Sequence, residues 1–341
     1  MRKDLFAAID LHSNNNYLTV IDSNDRRLVE RRLRNELPTV LSALEPYRKR
    51  LAGVAVESTF NWYWLVDGLA AAGHAPRLVN TSAVRKYEGL KNTDDRHDAF
   101  WLAHLMRLGI LPTGHIMEPE TRALRDLLRK RMHLVQQRSA NILSIENLQQ
   151  RNEGVRMSSD QIKAETAETI ARQVADPNRA LALRSTQSVI MTLTEQIGEI
   201  ERAALAQLKR SPDWKRLKTI WGVGPTLASV ILLETGPIAR FAAVGDYASY
   251  CRCVPTSWTS NNKKKGEGNE KNGNQYLCWA FIEAATFAIR SYPAANRYYQ
   301  RKKAATMAVI ARKALAHKLA RAAYFVLRDG VPFRPELLFR S

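Results

Sequence analysis

Cysteine is scarce in this 341-residue chain: Cys251, Cys253 and Cys278 are its three thiols. They are too few and too poorly spaced for a zinc site, and reduced, structural cysteines are expected. Long apolar runs are missing too. None reaches the roughly 18 residues of a membrane span, and Met1-Arg-Lys-Asp4 is not followed by a signal-peptide core, so the expected location is the cytoplasm. Acidic residues are also short, 33 Asp+Glu against 52 Lys+Arg, a formal charge of +19. That imbalance points to a polyanion, and to nucleic acid over membrane because no amphipathic basic anchor stands out. What is present is 45% hydrophobic residues over a length that suits two or three globular domains. From Lys209 onward the chain holds 23 Lys+Arg and 8 Asp+Glu, so most of the excess charge lies in the last part.

The first part carries acids in a pattern. Leu5–Leu11 is an apolar run containing Asp10, and Val54-Ala-Val-Glu57 is a second run ending on a carboxylate. Asp94, Asp95 and Asp98 follow at the start of a helical pattern over 95–108. Strands are expected at 5–11, 17–22, about 27–33, 54–57 and 76–79, and helices at 37–51, about 61–72 and 95–108. The order βββαβαβα is that of an α/β domain of the RNase H/RuvC-like type, a mixed sheet with helices packed on it. If the apolar runs are neighbouring buried strands, Asp10 and Glu57 meet at their ends, and a helix from Asp95 adds two carboxylates from one face, since i and i+3 are neighbours. Carboxylates gathered there require a cation, and Mg2+ prefers oxygen ligands. Asp10, Glu57, Asp95 and Asp98 are therefore the candidate ligands. Each has an ordinary alternative as a turn acid or a helix N-terminal acid, and the choice between Asp94 and Asp95 stays open.

The middle of the chain reads as helices over 119–150, 159–174 and 177–209. Ile190, Leu193, Ile197, Ile200 and Ala204 form a short coiled-coil seam that serves equally for dimerisation or for an intrachain hairpin. Leu217–Leu232, with Gly222 and Gly224 at its turn, resembles a helix-hairpin-helix that offers backbone N–H groups to a phosphate. Helix is expected over 244–253. After it Asn261–Asn274, with Lys263, Lys264, Lys265 and Lys271, reads as an irregular loop that grips phosphates. Helices resume over 275–290 and 304–328. The expected divisions are 1–112 (catalytic), 113–209 (helical, coiled coil) and 210–341 (mostly α, with the helix-hairpin-helix).

Several stretches together carry a family resemblance: Ala8-Ile-Asp10, Val56-Glu57-Ser-Thr, Asn92-Thr-Asp-Asp95-Arg-His-Asp98, Ile220-Trp-Gly222-Val-Gly224, Phe241–Cys253, Val254-Pro255-x-x-Trp258-x-Ser260, Lys271-Asn-Gly273-Asn274 and Gly330-Val-Pro332-Phe333. Over nearly its full length the chain resembles bacterial insertion-sequence transposases that pair a DEDD, RuvC-like domain with a C-terminal serine domain, relatives of the Piv-type DNA invertases. The resemblance implies four acidic ligands (Asp10, Glu57, Asp95, Asp98) and a serine nucleophile at Ser260. It also implies a bridge RNA that pairs with donor and target DNA, action in the bacterial nucleoid and a composite site formed between subunits, as a homodimer or homotetramer. Asn261 stands where relatives often have Gly, and Asn269-Glu-Lys271-Asn replaces their Ile-Ser-Lys, so Ser257 stays as the alternative nucleophile.

Serine is a weak nucleophile until a base or a metal activates it, and metal ions can stabilise the attacking and leaving oxygens of a phosphoryl transfer. The expected activity is a metal- and serine-dependent, RNA-guided DNA recombinase. A RuvC-like nuclease or a Piv-like invertase without a guide is the alternative, and a catalytically silent nucleic-acid-binding protein is a third reading.

Overall fold

A computed structural model describes residues 3–84, 94–255, 257–261, 263–267 and 272–339. The chain divides into two units, Met1–Pro119 and Glu120–Ser341. Among the described residues no helix is long and apolar enough to cross a membrane.

The first unit is built on a five-stranded mixed sheet of order β3-β2-β1-β4-β5. Its strands are β1 (Leu5–Leu11), β2 (Asn15–Ile21), β3 (Arg27–Arg34), β4 (Leu51–Glu57) and β5 (Pro76–Val79). β1 pairs antiparallel with β2 and parallel with β4. β1 and β4 are nearly continuous apolar runs, and β2 is buried almost throughout, because both faces of the sheet are covered. β3, at the edge, reads Arg-Leu-Val-Glu-Arg-Arg-Leu-Arg and is largely exposed, a charged edge that discourages pairing with another sheet. On one face Ala7, Ile9, Val54 and Val56 pack with α1 (Leu37–Leu44) and α2 (Tyr63–Ala71). On the other, Ala8, Ala55 and Val79 pack with α3 (Thr81–Val84) and α4 (Asp95–Arg107). Successive strand residues thus go to opposite cores, as the two-residue period of a strand demands.

The expected elements of this unit occur in the expected order, with the short α3 added before α4, β4 beginning at Leu51 instead of 54, and the first helix shortened. The helix expected over 37–51 ends at Leu44. Pro46 lies in the single 3-10 turn Glu45–Tyr47 that follows, where its missing N–H costs nothing, and Leu51 already belongs to β4.

The second unit is mostly helical. Long helices α5 (Pro119–Glu153) and α8 (Pro177–Leu208) enclose the short α6 (Ser159–Ala164) and α7 (Ala167–Ala171). A single helix was expected over 159–174, but each short helix has its own reciprocal cap, Ser158 with Gln161 and Thr166 with Thr169, and Thr166 interrupts the run. Asp176 caps α8 by accepting from the Arg179 N–H at 2.9 Å, with Pro177 at the first helical position. The seam of α8 is filled within the chain. Ile190 packs with Ile142 and Ile145, Ala204 with Leu124 and Leu128, and Arg131 pairs with Glu201 at 2.6 Å.

Beyond α8 come α9 (Pro212–Leu217), α10 (Pro225–Thr235) and α11 (Val244–Tyr250), then α12 (Gln275–Ser291), α13 (Pro293–Ala305), α14 (Ala308–Asp329) and α15 (Pro335–Leu338). Tyr247, Phe281, Leu315 and Leu319 are at the centre of their core. Between α11 and α12, β6 (Ser257–Ser260) and β7 (Lys263–Glu267) form an antiparallel hairpin. Over 263–267 this overturns the irregular loop expected for 261–274; residues 262 and 268–271 of that span lie outside the described residues. Three consecutive lysines mask strand pairing from composition, and the left-handed Asn261 (φ 51°) makes the turn. The helix expected over 304–328 is also two, because Thr306 leaves helical geometry (φ −149°) between α13 and α14.

Candidate active site

Strand parity determines where the acids go. Asp10 follows Ile9 in β1 and so shares the face of Ala8, the face covered by α4. Glu57 shares the face of Ala55 for the same reason. Ile9 pairs with Val56 across the parallel strands, so Asp10 and Glu57 come side by side. α4 packs over β1 and β2, and its first turn carries Asp95 and Asp98. Ala99, Leu102 and Ala103 of that helix are buried and turn the same stripe inward.

The carboxylates feel one another. Glu57 is pushed up to about 8, by burial first, then by a hydrogen bond with Asp10 and the charges of Asp10 and Asp98. Without a cation, the pair holds a proton that isolated carboxylates would release. Asp10 is buried, with 3% exposure. The two candidates at 94 and 95 have different surroundings. Asp94 caps α4 by accepting from the His97 N–H at 2.8 Å. Asp95 faces the cluster, its Oδ2 accepting from Arg32 Nη2 at 2.7 Å.

Sequence reasoning missed His12. Its Nε2 stands 3.3 Å from Asp10 Oδ2 and 3.3 Å from Asp95 Oδ1. One ligand atom from each of Asp10, His12 and Asp95 lies within 4.8 Å of the other two. The available signal was its position two residues after Asp10, on the same side of an extended chain. Its backbone is tied down: the carbonyl accepts from Asn35 Nδ2 at 2.9 Å and from Asn61 Nδ2 at 3.0 Å. The donor set suits a divalent ion. It combines the carboxylates of Asp10 and Asp95 with an imidazole nitrogen aimed between them, while Glu57 and Asp98 lie near but outside this group.

The second unit holds the other candidates. Ser260 is the last residue of β6 and pairs with Lys263 of β7, while Ser257 begins β6 opposite Glu267. Lys263 and Lys265 are exposed along β7, and Lys264 lies between them. Lys271 lies outside the described residues. Asn274 caps α12, the next element after the hairpin. Its Oδ1 accepts from the N–H groups of Tyr276 and Leu277 at 2.9 and 3.1 Å, and its Nδ2 donates to buried Glu234 at 2.7 Å. Arg129 grips Glu234 with two bonds of 2.6 and 2.8 Å. Nothing local in the sequence marks Arg129 or Glu234, which are 105 residues apart.

Gly222 and Gly224 differ in setting. Gly222 has φ +76° and packs against the backbone of α12 near Ala284 and Ala288. Gly224 caps α10 and has nothing within 4 Å of where a Cβ would stand. Only Gly224 has open space before it.

Comparison with known proteins covers both units. Residues 7–151 match a model described as a DEDD transposase of the IS110 type, and residues 214–300 match one described as the transposase IS116/IS110/IS902 family. An insertion element IS110 uncharacterized 43.6 kDa protein of Streptomyces coelicolor is 29% identical over 44% of this chain and 37% of its own length. The transposase for insertion sequence element IS1111A of Coxiella burnetii is 26% identical over 67% of this chain and 63% of its own. The transposase for insertion sequence element IS1328 of Yersinia enterocolitica is 24% identical over 95% of this chain and 97% of its own. The chain thus spans less than two thirds of the length of the first two relatives and nearly all of the third. Both the acid-bearing sheet and the helices around the hairpin thus match models of IS110-type transposases.

Proposed function

We propose that this chain is the transposase of an insertion sequence, cutting and rejoining donor and target DNA by phosphoryl transfer. The observation that carries the reading is the convergence of Asp10 and Glu57 from adjacent parallel strands with Asp95 and Asp98 from the first turn of α4. This convergence, in a βββαβαβα order, supports assignment of the sheet unit to the RNase H/RuvC-like type. The helix-hairpin-helix reading of α9–α10 rests on the open Gly224 turn. The division 1–112, 113–209 and 210–341 belongs to the same proposal.

Asp10, Glu57, Asp95 and Asp98 would hold Mg2+, which when bound supplies positive charge to a scissile phosphate. Their own work is to position that charge and to give up the proton that Glu57 retains. Ser260 is the nucleophile. Its Oγ bonds to the phosphorus as a sugar oxygen leaves, its proton passes to a base, and the departing oxygen is protonated. The phosphodiester energy stays in the phosphoserine, so a second strand's hydroxyl can reverse the step and reseal the DNA without ATP. Lys263, Lys264, Lys265 and Lys271, with the Gly224 turn, contact phosphates and give the salt-dependent part of binding. A structured guide RNA selects the target, and the working form is a homodimer or homotetramer in the bacterial nucleoid.

The test is Ser260→Ala beside Asp10→Asn. Ser260→Ala abolishes covalent protein–DNA linkage and leaves salt-sensitive binding. Asp10→Asn abolishes both strand cleavage and linkage. Recombination by Ser260→Ala would refute the nucleophile. Cleavage without linkage by that variant would establish the nuclease reading, and DNA binding without cleavage in wild type, unchanged in Asp10→Asn, would establish the silent binder.

A further inference from the structure

We propose that His12 is a direct ligand of the ion held at this centre, so that the centre prefers a transition-metal ion such as Mn2+ or Co2+ to Mg2+. The inference rests on the acid-held metal centre proposed above and extends it to the metal's identity.

Three observations converge on the Nε2 atom. It is equidistant from Asp10 Oδ2 and Asp95 Oδ1, at 3.3 Å each. It is shut off from solvent although the side chain as a whole is 41% exposed, and it makes no hydrogen bond. Its backbone is fixed from both sides by Asn35 and Asn61, so the ring is delivered to this spot.

The obvious alternative is a protonated imidazolium clamping two carboxylates. A charged N–H would choose one oxygen and close to about 2.7–2.9 Å in line with it. Arg32 does so on the other oxygen of the same Asp95, at 2.7 Å. His12 instead stands off both carboxylates equally. Donors held at about 2.0–2.2 Å from one ion, with angles between octahedral and tetrahedral, lie about 3.0–3.5 Å from each other. The separations around Nε2 are those of atoms facing a shared point and not those of atoms bonded to one another.

A nitrogen donor changes the choice of ion. Mg2+ is hard, favours oxygen and gives up its water reluctantly. Imidazole favours the later first-row ions, and affinity rises from Mn2+ towards Co2+ and Ni2+.

The experiment uses the full chain, stripped with chelator, and reads ion binding. Co2+ is titrated by its visible absorption, and Mg2+ and Mn2+ by calorimetry. Wild type is expected to bind Mn2+ and Co2+ at least tenfold more tightly than Mg2+. His12→Ala loses at least tenfold in Co2+ affinity, with a change in the absorption bands, and changes Mg2+ affinity less than twofold. His12→Gln keeps the side-chain volume, guards against a folding artefact and shows the same selective loss. Unchanged Co2+ affinity and spectrum in both variants would overturn the assignment. Asp10→Asn separates the two levels. If it abolishes binding while the His12 variants do not, the acidic centre stands and His12 is not a ligand. If it too leaves binding unchanged, the metal centre itself falls.

Discussion

Replacing Gly222 by Ala puts a methyl group where the turn before α10 meets α12. The new Cβ would overlap the carbonyl oxygen of Ala284 and stand 2.9 Å from its carbonyl carbon and from the Ala288 nitrogen. These are helix backbone atoms, which have no rotamer to retreat into. The residue also holds φ +76°, which costs an L residue about 1–2 kcal/mol. Forcing the two backbones apart adds about 1–3 kcal/mol, as overpacking does in cores. Restricting the unfolded chain returns about 0.4–1 kcal/mol. The net expectation is a destabilisation of about 2–4 kcal/mol. Urea unfolding followed by tryptophan emission measures it, since Trp221 is the preceding residue and stacks on Tyr292 at 4.7 Å. Gly224→Ala is the control. With φ −83° and nothing within 4 Å, it should change stability by less than about 1 kcal/mol. If Gly222→Ala is as stable as the control, the close packing of this turn on α12 is wrong. If both fold equally well and only Gly222→Ala loses DNA binding, Gly222 and not Gly224 contacts the phosphate.

Asn274→Ala removes the cap of α12 and one of the two donors to Glu234 Oε2, which keeps Arg129, a loss of about 2–4 kcal/mol in a thermal or chemical melt. Asn274→Asp keeps the cap but sets a second carboxylate against Glu234, so it too should fall below wild type. Glu57 holds its proton in the folded, metal-free chain up to about pH 8, whereas the unfolded chain releases it near the ordinary 4.5. The folded state binds more protons across that window, so stability contributed by the neutral carboxyl declines as pH rises through it. Melting of the chelated protein should therefore drop between pH 5 and pH 8.5 by more than that of Glu57→Gln, and equal slopes would refute it. Lys263→Ala and Lys265→Ala, both exposed, should each lower the slope of log affinity against log salt by about 1 without altering which DNA is chosen.

The sheet unit was legible because its chemistry is local. Short continuous apolar runs marked β1 and β4, and a carboxylate near the end of each marked Asp10 and Glu57 as candidates. Asp94-Asp95 before a helical stripe marked the start of α4, but only three-dimensional contacts separated the cap from the residue facing the cluster. His12 was hidden because a lone histidine in an Asn-rich turn carries no period. Its role depends on Asn35 and Asn61, which come from other turns. The hairpin was misread because Lys263–Lys265 has the composition of a loop, while its pairing with 257–260 turns at the left-handed Asn261. The cap at Asn274 ends on Glu234 and Arg129, a long-range pair that no window along the chain contains.

The charged edge of the sheet does two jobs with one set of side chains. Arg27, Glu30 and Arg32 keep β3 from pairing with a foreign strand, yet Glu30 also holds Arg96 at 2.6 Å and Arg32 holds Asp95 at 2.7 Å. Solubility and site geometry are therefore not separable on this strand. An apolar replacement at Arg32 would leave an adhesive edge and a loosened α4 together. A variant of β3 that aggregates and has lost activity cannot be sorted into a folding mutant or a catalytic one by activity alone. Its diagnosis needs ion binding measured on the fraction that remains monomeric.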